Sequence, residues 1–298
     1  MRRMSPLARR QAAWAYAFLV IPLVFFLWIR IYPVFSSFHI ALLEWDIFSK
    51  VRPFVGLANF ERMLTDKVLH KALLNTFEYI LISMPIGLAL ALAIAMMINA
   101  LNRGAGLFRT LYFIPYITSV VAVAAVWKWM FMKSGGLVNN ILTGIGLPAQ
   151  PFMNSTSQAL GVVASNVIWQ GLGFKIIIFL AGLKQIPRTF YEAAAIDGAS
   201  RWAVFRHITI PLLNPTIVYL TVLTGIQTLQ VFTQVFAISS GGQGGPLNAT
   251  LSMVLYIYQK AFKSFDMGYA SAITVLLFVI ILIISLAQMK LVTRKVEY

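Results

Sequence analysis

Cysteine is absent, and only three histidines, His39, His70 and His207, are scattered through 298 residues. Disulfides and thiolate metal sites are thereby excluded, and the histidines lack metal-ligand spacing. No G-x-x-x-x-G-K-[ST] phosphate loop occurs, nor any G-x-S-x-G nucleophile elbow. The chain is therefore expected to carry out no covalent chemistry and to bind no metal or cofactor itself. Acids are scarce too, nine against 24 lysines and arginines. A net charge of +15 could suggest nucleic acid, but such a surface needs its cations clustered on a folded soluble face. Here they are spread over short loops, so nucleic acid is not an expected partner.

What the chain has in abundance is apolar length. Hydrophobic residues make up 59% and charged residues 11%, far from the roughly one-quarter charged of a soluble domain. Runs at about 13–35, 72–99, 107–132, 159–183, 210–238 and 269–289 are each long enough, at about 1.5 Å per residue, to cross a hydrocarbon core of roughly 30 Å. They are continuous rather than alternating, which excludes a transmembrane barrel. The expected fold is an all-α integral membrane protein, a six-transmembrane-helix bundle in contact with lipid. The first run is too long for a signal peptide and no A-x-A-like site follows it, so it reads as an uncleaved anchor. Residues 1–12 are expected to form a cytoplasmic tail and 13–298 the membrane domain.

Orientation follows from the basic residues. Arg2, Arg3, Arg9 and Arg10 precede the first helix, Arg103 and Arg109 lie between the second and third, and Lys184, Arg188, Arg201 and Arg206 between the fourth and fifth. Lys290, Arg294 and Lys295 follow the sixth, and the acids among these segments are Glu192, Asp197 and Glu297. This bias places both termini in the cytoplasm. Three loops then lie outside: 36–71, with a short amphipathic helix at about 57–64; the Gly/Pro/Asn-rich 133–158; and 239–268, which opens with the glycine-rich "SGGQGGP".

The cytoplasmic loop at about 184–211 contains "YEAAAIDGAS". Pro187 suits a helix first turn, Arg188 to Asp197 continues it, Gly198 terminates it, and Ser200 caps a second short helix through about Ile208. Pro211 is expected to start the next span. The result is a helix-turn-helix projecting from the membrane, with small alanines for close approach and Glu192, Asp197, Arg201 and Arg206 as orienting charges at its rim.

Glu192, Ala193 and Ala194, then Gly198, Ile208 and Pro211, with Ile210 where a leucine is usual, fit the pattern E-A-A-x3-G-x9-I-x-L-P. This resembles the EAA loop of the membrane permease subunits of binding-protein-dependent ABC importers. "FVGLANFERML", "RTLYFIPYITS", "LGFKIIIFLAGLKQIP" and "SGGQGGP" resemble the carbohydrate-uptake branch, the maltose-type and glycerol-phosphate-type permeases. The resemblance implies a permease in the bacterial cytoplasmic membrane that moves a sugar, a di- or oligosaccharide, by alternating access. It implies a second homologous permease subunit, a cytoplasmic ATPase dimer carrying ATP and Mg, and an extracytoplasmic sugar-binding protein. Glu192, Ala193, Ala194, Asp197, Gly198, Arg201 and Pro211 would couple to the ATPase.

Within the spans, polar residues are costly and often functional. Asn166, Gln170 and Gly173 share one face of the fourth helix, with Trp169 beside them, and Gln227, Gln230 and Gln234 share one face of the fifth. Amides both donate and accept, and an indole can stack on sugar C–H groups. Trp169, Gln170, Gly173, Gln227, Gln230 and Gln234 are the substrate-path candidates, although Gln and Asn also serve as interhelical glue. Lys175 falls opposite Asn166 and reads as a paired or snorkelling residue. With no cationic cluster on either stripe, an anionic substrate is disfavoured. The alternative, an ion- or proton-coupled transporter without an ATPase, would call for acids deep in the spans, and none is present.

Overall fold

The computed structural model describes residues 5–101, 103–239 and 242–293. Arg2, Arg3, Arg294, Lys295 and Glu297 of the orientation argument, and Ser240 and Gly241 of the glycine-rich stretch, lie outside the described residues. Two compact units are present, one comprising the chain up to Thr65 with Ile257–Leu276, the other Asp66–Tyr256 with the chain from Leu277 onward.

In the first unit, α1 (Pro6–Phe26) runs through a π-helical stretch (Leu27–Ile31) into α2 (Tyr32–Ile40). The helix begins earlier and ends later than the apolar run alone indicates. Its apolar side chains are exposed, Phe18 at 74% and Ile21 at 75%, as lipid-facing residues would be. The expected surface helix is α3 (Ala58–Met63). Asn59 anchors it, its Nδ2 donating to the carbonyls of Ala41 at 2.9 Å and Leu43 at 3.0 Å. Arg62 is paired with Asp266 at 2.6 Å and lies over the Tyr269 ring at 4.1 Å.

In the second unit, α4 (Lys67–Asn99) is capped by Asp66, whose carboxylate accepts from the N–H groups of Val68 and Leu69, satisfying orphan donors of the first turn. There follow α5 (Ala105–Ile117), α6 (Val120–Met130), α7 (Leu137–Gly144) and α8 (Ala159–Gln185). α8 packs along α4, and α5 and α12 (Asn214–Leu229) pack on this pair. Small residues permit the close approach: Ala91 and Ala95 of α4 are fully buried among Leu172, Ile176, Phe179 and Leu183 of α8. A Cβ on Gly182 would lie 2.4 Å from Thr216 Oγ1 of α12. Without a hydrophobic drive between helices in lipid, such packing is what associates them.

The chain closes with α9 (Arg188–Ile196), α10 (Arg201–Val204), α11 (Ile210–Leu212), α13 (Thr233–Ile238), α14 (Met253–Tyr258) and α15 (Met267–Val292). Among the described residues, four helices are long and apolar enough to span, or up to six spans if each of two bent pairs counts as one. The six-helix expectation thus holds in number but not in regularity. The third run breaks at Thr118 and Ser119, where α5 and α6 meet at 94°. The fifth breaks twice: at Leu213, with a 68° bend, and at Gln230–Phe232, where α12 ends before α13 begins. Pro211 therefore does not start the span. It lies in α11, and Asn214, with Pro215 in the first turn, opens α12. The Asn214 amide donates to the Val292 carbonyl at 2.8 Å, fixing that start against the end of α15.

Candidate functional site: a polar cavity and an exposed helical corner

The corner between α9 and α10 is built by backbone chemistry. Gly198 adopts φ +66°, the left-handed conformation in which a Cβ is penalised. Its N–H donates to the Ala195 carbonyl at 3.2 Å, and that of Ala199 to the Ala194 carbonyl at 2.9 Å. This is the Schellman arrangement that satisfies the last carbonyls of a helix. Asp197 is the C-cap residue of α9. Ser200 caps α10, its hydroxyl accepting from Ala203 N–H at 3.2 Å.

The candidate residues at this corner divide by exposure. Glu192, Ala193, Asp197, Gly198 and Arg201 are exposed, whereas Ala194 is buried. Tyr191 packs against the apolar core of the second unit, and its hydroxyl pairs with Thr209 Oγ1 at 3.3 Å. The outward face also carries large apolar side chains that the sequence reading passed over: Ile196 is 87% exposed, Trp202 66% and Phe190 40%. Three such residues on a charged corner were visible as letters, but which face they occupied depended on the turn at Gly198.

A cavity of about 290 Å³ with mixed lining lies within the second unit, its polar groups supplied from α4 by Ser83, from α5 by Tyr116, from α8 by Gln170 and Lys175, and from α12 by Thr224, Gln227 and Thr228, with Gly171, Val120, Val167, Val231 and Phe232 between them. The break after α12 and the start of α13 add Gln230, Thr233 and Gln234. All three glutamines of the fifth run and Gln170 therefore meet at one space. They do so through a broken backbone, however, not along the continuous stripe that the spacing implies. Irregular backbone at membrane depth is tolerated where it borders such a cavity or is buried in protein. The freed Val231 carbonyl accepts from Ser252 Oγ at 2.7 Å.

Two candidates lie outside the lining. Trp169 faces Trp127, ring centroids 5.1 Å apart. Gly173 is a packing residue: a Cβ there would sit 2.2 Å from the Tyr112 carbonyl, so its bareness is what lets α5 cross α8. Asn166 is fully buried and does not border the cavity.

Lys175 requires the opposite correction. It is 94% buried, its relative exposure being 6%, and it neither snorkels nor pairs with an acid. Its Nζ donates to the Gly171 carbonyl at 3.1 Å, one turn back. Helix side chains lean toward the N-terminus, and Gly171 has no side chain to stop the lysine from lying over it. A Cβ at that position would be 2.6 Å from Nζ. The signal available in the sequence was a lysine inside a span with glycine at i−4. Measuring its direction from Asn166 misled, because Asn166 does not mark the cavity face.

Comparison with known proteins agrees with this architecture. Residues 83–298 match the family described as "Binding-protein-dependent transport system inner membrane component". The probable ABC transporter permease protein YesP of Bacillus subtilis (strain 168) is 37% identical over 287 residues, covering 95% of this chain and 91% of its own length. The lactose transport system permease protein LacF of Rhizobium radiobacter is 34% identical, with 87% of each chain covered. Among solved structures, a chain of a bacterial ABC transporter involved in the import of the acidic polysaccharide alginate superposes with a TM-score of 0.81 at 26% identity, covering 94% of both chains. The chain belongs to the binding-protein-dependent transport system inner-membrane component family, as a multi-pass ABC transporter permease and not an enzyme.

Proposed function

We propose that the chain is one permease of a bacterial ATP-driven importer that moves a di- or oligosaccharide by alternating access, and that the cavity is part of the sugar path. The carrying observation is topological. The α9–α10 corner is the stretch of chain that joins α8 to the α11–α12 segment, and α8 and α12 both line the cavity. A push on the corner therefore acts on two walls of the cavity through continuous backbone.

In this reading the corner docks in a cleft of a cytoplasmic ATPase dimer, which holds ATP and Mg. Glu192 and Arg201 orient it at the rim, while Ile196 and Trp202 fill apolar recesses of the ATPase. Ala193, Ala194, Asp197 and Gly198 shape its tip, and Pro211 lies in the helix that transmits the push to α12. Both termini are cytoplasmic, a second homologous permease completes the pore, and an extracytoplasmic binding protein delivers the sugar. ATP-driven closure of the dimer would draw the corner inward and open the cavity outward. Gln170, Gln227, Gln230 and Gln234 would then meet sugar hydroxyls with groups that both donate and accept. The sugar class is supported by the carbohydrate-uptake motifs and by the lactose permease relative. Among the described residues no aspartate or glutamate lines the cavity, which speaks against proton coupling.

The test is ATP hydrolysis by the reconstituted transporter with and without its loaded binding protein. Glu192→Ala combined with Gly198→Val is expected to remove the stimulation while membrane insertion stays normal. Full stimulation in that double variant would overturn the coupling role.

A further inference from the structure

Lys175 is the cavity-lining group that a neutral sugar leaves unexplained. An ammonium buried without a counter-charge is costly, and a cation inside a membrane span is tolerated mainly where it has a partner or a task. Here the partner within the chain is a neutral carbonyl, that of Gly171. Among the described residues, no carboxylate borders the cavity. Two glycines make the room: Gly171 beneath the ammonium, and Gly87 of α4, where a Cβ would touch Nζ at 3.8 Å. Ser83 and Gln170 line the same cavity, and Ser83 Oγ and Gln170 Oε1 are buried atoms without a hydrogen-bond partner. The lining thus holds one cation without a counter-charge and two unsatisfied polar atoms that a side-chain rotation would turn toward a ligand.

We propose that the saccharide carried by this permease bears a carboxylate, as a uronic acid does, and that Lys175 receives it. This rests on the sugar-path reading above and adds the charge of the substrate to it. The donor count favours a carboxylate. An ammonium has three N–H groups; one is spent on Gly171, and two remain for the two oxygens of a carboxylate. A phosphate, with more charge and more oxygens, would call for a second cation, and among the described residues no other lysine or arginine lines the cavity. Ser83 and Gln170 would take ring hydroxyls on the same wall, and Tyr116, stacked on Phe174 at 5.3 Å, would offer an aromatic surface to the sugar's C–H face.

The chain has no cysteine, so Val167→Cys, at a half-buried lining position with no assigned contact, creates its sole thiol, and Thr233→Cys supplies a second reporter at another wall. The assembled transporter in lipid nanodiscs is labelled with a small uncharged thiol reagent. Disaccharides of galacturonate, glucuronate, galactose and glucose are each titrated as protectants, and modification of this chain is read by mass. The uronates are expected to halve the labelling rate at concentrations about tenfold or more below the hexoses. Lys175→Met should erase that ratio and Lys175→Arg preserve much of it. Equal protection by uronates and hexoses with Lys175 present would overturn the inference and leave the sugar path standing. So would a uronate preference that survives Lys175→Met. Protection by none of the four at either reporter would overturn the sugar path itself, and the carboxylate with it.

Discussion

The N–H of Ala199 donates to the carbonyl of Ala194 at 2.9 Å, across a corner whose pivot, Gly198, lies in the left-handed region at φ +66°. The second alanine of the motif is thus a buried acceptor that closes the turn, while its neighbours Glu192 and Ala193 face outward.

The Gly198 position separates backbone strain from crowding, because a Cβ there meets nothing within 4 Å. Gly198→Ala is expected to cost about 1 kcal/mol through its backbone conformation alone. Gly198→Asn should cost less, since asparagine tolerates that region. Stimulated ATP hydrolysis across Gly, Asn, Ala and Val is predicted to fall in that order.

The apolar tip should dominate docking. Ile196→Glu and Trp202→Ala are each expected to weaken retention of the ATPase by about 2 kcal/mol, a typical hot-spot loss, which is roughly thirtyfold in affinity. An exposed rim charge such as Arg201 should matter less in the same binding measurement. Unchanged retention in both apolar variants would place the docking surface elsewhere.

Crowding decides the outcome at Gly173. Because a Cβ would fall 2.2 Å from the Tyr112 carbonyl, Gly173→Ala must shift α5 from α8, at about 1–3 kcal/mol. Gly161, with nothing within 4 Å of its Cβ position, is the control on the same helix. The thermal midpoint of the detergent-extracted protein should drop for the first substitution and stay within error for the second.

The glycine-rich loop after the fifth span is held by α4. Asn75 Nδ2 donates to the carbonyls of Asn248 at 2.8 Å and Leu251 at 3.0 Å, and Tyr79 Oη to that of Thr250 at 3.1 Å. Asn75→Leu leaves one buried and one partly buried carbonyl short of a donor, at a cost of about 1–3 kcal/mol. Amide exchange over 248–253 should accelerate by roughly tenfold or more while the centre of α8 is unchanged.

The six apolar runs and the corner at Gly198 were legible because each depends on local chemistry: hydrophobic length, a capping serine, a glycine after a helix. The breaks at Thr118–Ser119 and Gln230–Phe232 were not, unlike the one at Leu213, which Pro211 and Pro215 flank. Gln230, Val231 and Phe232 carry no proline or glycine, and Thr118 and Ser119 are equally ordinary, so an apolar run reveals that a segment crosses but not that its helix is continuous. The glutamines reached the cavity although the helical stripe that nominated them does not exist. Lys175 was missed for a related reason, since a helical wheel gives directions around one helix and not which direction faces a space shared with α4, α5 and α12. The role of Gly173 depends on a backbone 61 residues away in sequence, that of Tyr112, which no local pattern encodes.

The central claim, a permease driven in trans by an ATPase at the Gly198 corner, is tested most directly by tagging the protein and extracting it gently from its native membranes. What co-purifies is then identified, with ATP-dependent uptake measured in reconstituted vesicles. The account predicts an ATPase, a second permease and a solute-binding protein, and uptake that stops without ATP. Recovery of this chain alone, with uptake persisting in the absence of ATP, would contradict it.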